Sequence, residues 1–126
     1  MELFMMREEL SLQEKLEYRN ILNGIGEILL RLNFLGQYQV ISDLLNLLDK
    51  NEDMIFIKEL NGVNMWGGAG AVWEVGIQEK KDEITFINKL IELIDFMETT
   101  NVLGRGIKSI KRILSSIKLL EIWYWN

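Results

Sequence analysis

The sequence has no cysteine, no histidine and no proline. Without cysteine there is no disulfide, no zinc–thiolate centre and no thiol nucleophile. Without histidine the chain lacks the commonest general base near neutral pH and the commonest transition-metal ligand. Catalysis would fall to carboxylates, lysines, serines or tyrosines. The expectation is a non-catalytic protein with no metal and no cofactor. An average chain of 126 residues carries about six prolines. Their absence, with abundant Leu, Ile, Glu and Lys, suits long helices. No apolar run is long enough to span a bilayer. The opening Met-Glu-Leu-Phe-Met-Met-Arg-Glu-Glu has no basic start before a long apolar stretch, so it does not read as a signal peptide. The expected location is the cytoplasm.

What is present suits one globular domain over 1–126: 48% hydrophobic and 26% charged residues. The formal net charge is −5, unevenly spread. Residues 1–60 balance at −5, residues 61–103 at −4 and residues 104–126 at +4. An acidic body argues against nucleic-acid binding, which needs cationic surface. It suits a basic partner.

Hydrophobic periodicity gives an all-α reading of four to five helices. Ser11 and Glu14 have capping-box spacing. Behind them Tyr18, Ile21, Ile25, Ile28, Leu32 and Leu35 form a helical stripe that Gly36 would cap. Gly24 and Gly26 interrupt it, so either the helix breaks or another backbone packs closely. A second helix is expected over 37–49, followed by the polar turn Asp49–Asp53. A third, over 53–61, is so dense in apolar residues (Met54, Ile55, Phe56, Ile57, Leu60) that burial on more than one side is expected. Asn61-Gly62 is a stop signal. Two more helices follow over 82–99 and 106–122, the last basic on one side, apolar on the other and ending in Trp123-Tyr124-Trp125.

The distinctive stretch is Met65-Trp-Gly-Gly-Ala-Gly-Ala-Val-Trp-Glu-Val75. It fails as a phosphate loop, because Ala71 and Val72 stand where Gly-Lys-Ser/Thr would close a Walker motif. The dinucleotide pattern needs a glycine where Trp73 stands, and no cation is adjacent in sequence. The reading is a structural turn of Gly67, Gly68 and Gly70 that packs at least one of Trp66 and Trp73 into the core. Residues 72–77 leave room for a short β element, in which Glu74 alternates outward. Asp49-Lys-Asn-Glu-Asp53 starts like a calcium loop, but Met54 and Leu60 occupy the positions that need glycine and glutamate. Ser115 and Lys118 have Ser-x-x-Lys spacing without companion motifs.

Over 38–75 the pattern resembles small bacterial helical proteins of the immunity-protein kind: an apolar helix pair, here Leu44 to Leu48 and Ile55 to Leu60, then the turn Trp66-Gly-Gly-Ala-Gly-Ala-Val-Trp-Glu74. The proteins resembled have no established activity to carry over; by analogy, such small acidic proteins look like immunity proteins of bacterial toxin systems. The expected function is binding of a protein partner, a basic toxin domain, through Trp66, Trp73 and Glu74 together with Asp49, Glu52 and Asp53. The alternatives are a peripheral membrane protein using the basic C-terminal helix, and a small-molecule binder at 65–75. A homodimer is also compatible with the aromatic C-terminus.

Overall fold

The computed structural model describes residues 7–125, with side chains through Ile122. The chain forms α1 (Leu12–Arg31), α2 (Leu35–Asp49), α3 (Asp53–Leu60), a four-residue α4 (Val63–Trp66), a 3-10 turn (Val72–Glu74), α5 (Lys80–Thr99) and α6 (Ile107–Trp125). Among the described residues there is no strand, so the fold is all-α. The segment after the glycine turn is a 3-10 turn followed by unpaired backbone, in place of the β element for which the sequence left room.

The capping box forms as spelled: Ser11 Oγ accepts from Glu14 N–H at 3.1 Å, and the Glu14 carboxylate accepts from Ser11 N–H at 2.9 Å. The helix then runs unbroken through Gly24 and Gly26. A Cβ on Gly26 would lie 3.2 Å from Ile41 Cγ2, so the bare backbone admits α2; Gly24 likewise sits under the Lys89 side chain of α5. The glycines are contact points between helices, and what meets them is side chain and not the second backbone expected.

The helix ends differ from expectation. Gly36 caps nothing and lies in the first turn of α2. α1 stops at Arg31 and Asn33 takes the left-handed conformation (φ 66°). Asn51 (φ 57°) and Asn101 (φ 66°) do the same after α2 and α5. At each site the next amide reaches back to close a Schellman motif: Phe34 N–H to Leu29 O (2.9 Å), Glu52 N–H to Leu47 O (3.0 Å) and Val102 N–H to Met97 O (2.9 Å). Asparagine tolerates this region because its short polar side chain bonds locally.

α1 lies between α2 and α5, and α6 packs on the far side of α5. Tyr18 is at the centre, fully buried, edge-on to Phe56 (5.4 Å) and Phe96 (4.7 Å). Its hydroxyl is 2.5 Å from Thr100 Oγ1, and burial pushes its pKa up to about 12. Part of the basic side of α6 is spent on α5, through Lys108–Glu98 (2.8 Å) and Lys111–Asp95 (2.6 Å). No helix among the described residues is long and apolar enough to cross a membrane.

Candidate functional site

A concavity of about 640 Å³ lies where the segment before α1 meets the start of α3. That segment is pinned at both ends. Arg7 donates to both Glu14 oxygens (3.0 Å each) and to the Thr100 carbonyl (2.8 Å). This guanidinium holds the Glu14 carboxyl below its ordinary range. Three residues on, Leu10 N–H donates to Asp53 Oδ2 at 2.9 Å. Glu8 and Glu9 therefore project, exposed, from a short fixed span.

Asp53 is the buried anchor of this cleft. Its Oδ1 lies 3.0 Å from Lys15 Nζ, an ion pair without a well-directed hydrogen bond, and Lys15 also donates to Asn51 Oδ1 (2.8 Å). Asp53 and Lys15 neutralise each other, and the remaining charges lining the cleft are the carboxylates of Glu8, Glu9 and Glu52. Beside them Met54 (59% exposed) and Ile55 (46%) face solvent. This corrects the expectation that α3 is buried on more than one side: only Phe56, Ile57 and Leu60 of its apolar residues turn inward. The apolar density supplies both a core face and a surface patch.

Of the acidic residues singled out from sequence, Asp49 is taken up by an ion pair with Arg19, and Asp53 is structural. Glu52 is exposed and has no ion pair among the described residues. Glu8 and Glu9, which the sequence reading passed over, join it. No local signal places them there, since the bond that positions them spans 43 residues.

The tryptophans and the glycine turn lie elsewhere and line different hollows. Trp66 is buried and donates from Nε1 to Leu60 O at 2.8 Å. Trp73 is half-buried and donates to Gly67 O at 3.0 Å. Gln37 Nε2 donates to Gly70 O at 3.0 Å. The turn thus presents carbonyls to its own scaffold. Gly67 has a steric reason, since a Cβ would sit 2.7 Å from Val63 O, and Gly70 has φ +92°; nothing in the structure explains Gly68. Glu74 is exposed, through the 3-10 turn and not through strand alternation. No cation is adjacent in sequence, but one lies close in space: Arg105 shares a hollow of about 260 Å³ with Trp66 and Gly67. Trp123 and Trp125 lie outside the described side chains.

Sequence reasoning also missed Asn61 as more than a stop. Its amide donates to Ile57 O and Val102 O (2.9 Å each) and accepts from Gly104 N–H at 2.7 Å, tying α3 to the α5–α6 connection. Among the described residues no group of three His, Cys, Asp or Glu could hold a metal ion. The chain matches no protein family, no curated protein and no solved structure.

Proposed function

We propose that this is a non-catalytic binding protein whose acidic cleft receives a basic protein partner, as an immunity-type protein occluding a bacterial toxin would. One observation carries the reading: Glu8, Glu9 and Glu52 line the cleft with no ion pair among the described residues, beside exposed Met54 and Ile55. Exposed apolar groups next to free charge of one sign suit a protein interface, with the apolar part supplying contact and the carboxylates supplying steering and register. The immunity-type form of the reading rests further on the acidic body and on the resemblance over 38–75. Asp53 and Lys15 hold the cleft and need not touch the partner.

The test is co-expression with any toxin gene found to neighbour this one. The wild-type chain should restore growth. The triple variant Glu8→Lys, Glu9→Lys, Glu52→Lys should fold, by circular dichroism, yet lose protection and complex formation. Undiminished protection by the folded triple variant, or the lack of any neighbouring toxin gene whose lethality is suppressed, overturns the proposal.

A further inference from the structure

A second surface shares the chemistry of the cleft but none of its residues. It is a groove of about 310 Å³ between the 73–77 segment, the start of α5 and the outer side of α6. Its floor is Phe86, Ile87 and Leu114, all buried. Trp73 and Val75, both half-buried, form one wall. Ile113, 47% exposed, and Ile117 form the other. The α6 stripe continues to Leu120, 56% exposed. Ile113, Ile117 and Leu120 stand at i, i+4 and i+7, a line of roughly 10 Å along the helix. The line gives α6 an apolar edge about two helical turns long, of which Ile113 and Ile117 line the groove.

The charge on this groove is of one sign. Among the described residues, the charged side chains lining it are Glu74 and Glu83. Glu74 is exposed and has no ion pair among the described residues. Glu83 shares a single cation with Glu121: Lys80 Nζ is 2.9 Å from Glu121 Oε1 and 3.8 Å from Glu83 Oε1. Burial, and then the neighbouring Glu121, push the Glu83 carboxyl above its ordinary range. A cation arriving at this end would relieve that crowding. An anionic membrane surface would meet two carboxylates.

We propose that this groove is a docking site for a cationic amphipathic helix, whose apolar side chains fill the space between Trp73 and Ile113 while its Lys or Arg side chains meet Glu74 and Glu83. The inference does not rest on the acidic cleft, and the two are separable by mutation.

The probe is a fluorescein-labelled 14-residue Leu/Lys amphipathic peptide, titrated by anisotropy at low and at physiological salt. A Leu/Glu peptide of the same pattern is the charge control. The Leu/Lys peptide should bind the wild-type chain, and the Leu/Glu peptide should bind at least about tenfold more weakly. Ile113→Lys, at an exposed position, should weaken binding by about tenfold or more. Glu74→Gln and Glu83→Gln should each weaken it by about three- to tenfold and flatten its salt dependence. Glu8→Gln and Glu52→Gln should leave it unchanged. If Ile113→Lys binds as wild type, the site is wrong, and if Glu8→Gln and Glu52→Gln then abolish binding, the peptide occupies the cleft. Equal binding of the Leu/Glu peptide overturns the charge argument. Concentration-dependent dimerisation lost in Ile113→Lys would assign the groove to a second copy of this chain. Ile113-dependent binding to phosphatidylglycerol vesicles would assign it to lipid. Either result overturns the proposal.

Discussion

Asp53 and Glu52 are neighbours with the same kind of charge, yet replacing them should have opposite consequences. In Asp53→Ala the Leu10 N–H loses a charged acceptor now 2.9 Å away. A hydrogen bond to a charged group is worth about 1.5–3 kcal/mol. The Lys15 side chain, 17% exposed, loses the carboxylate 3.0 Å from its ammonium. Asp53 is also the first residue of α3, where a carboxylate contributes about 0.3–1 kcal/mol against the helix dipole. The combined loss should be about 3–4 kcal/mol, since the terms share partners and are not additive. Asp53→Asn keeps an oxygen for Leu10 and should cost about 1–2 kcal/mol. Adding Lys15→Met to Asp53→Ala should recover part of the loss, because it removes the stranded ammonium. Glu52→Gln should change stability by less than about 0.5 kcal/mol, as surface substitutions do, while weakening the partner. Urea unfolding followed by circular dichroism measures all four. Equal stability of Asp53→Ala and Glu52→Gln would refute the assignment of Asp53 as anchor of the cleft.

Other residues give sharp expectations. Tyr18→Phe should cost about 1 kcal/mol at pH 8, the value of one buried hydrogen bond. Because the folded Tyr18 pKa is raised from 10.0 to about 12, the hydroxyl keeps its proton in the fold and releases it on unfolding above pH 10, so its contribution is intact below pH 10 and fades as pH rises towards 12. The fading amounts to about 2–3 kcal/mol, so denaturant curves of wild type and Tyr18→Phe should cross near pH 11; a constant difference between them from pH 8 to 12 would defeat the argument. Asn61→Ala removes three hydrogen bonds and should cost about 2–4 kcal/mol by thermal or urea unfolding. Gly67→Ala should destabilise by at least about 1 kcal/mol, because its Cβ meets backbone, whereas Gly68→Ala, with open space around it, should be neutral or slightly stabilising. Equal melting temperatures for the two glycine variants would count against the described turn.

The parts of this fold legible in the sequence are those set by local chemistry. The Ser11–Glu14 box, the stripe from Tyr18 to Ile28, the polar turn at 49–53 and the packing of Trp66 each follow from spacing and residue type. The parts that were not legible depend on distant partners. Whether Gly24 and Gly26 broke α1 was decided by Lys89 and Ile41, on other helices. Asn33, Asn51 and Asn101 are ordinary polar residues until the chain turns left-handed beneath them, and only then do they fix where three helices stop. α3 was judged by apolar density, but an eight-residue helix makes barely two turns, and Met54 and Ile55 fall on the turn that faces away. The expected site was assembled from residues close in sequence, and the fold parts them: Glu52 goes to one concavity and Trp73 with Glu74 to another.

That separation bears on which charges are available for recognition. In an acidic chain most carboxylates are candidates by composition alone. The fold reduces them by employing some: Glu14 on Arg7, Asp49 on Arg19, Asp53 on Lys15, Asp82 on Arg31, Asp95 on Lys111 and Glu98 on Lys108. Among the described residues Glu8, Glu9 and Glu52 have no such employment, and they sit beside apolar side chains that folding left uncovered. Exposed apolar surface beside uncompensated charge contributes nothing to the stability of the isolated chain. Its justification lies in contact with another molecule, where the same groups gain both burial and a counter-charge. Neutralising Glu8, Glu9 and Glu52 together should therefore leave the isolated protein as stable as before, within about 0.5 kcal/mol per site, or stabilise it by relieving like-charge repulsion. A large loss of stability would mean that these carboxylates serve the fold, and the cleft would then lose its claim to be an interface.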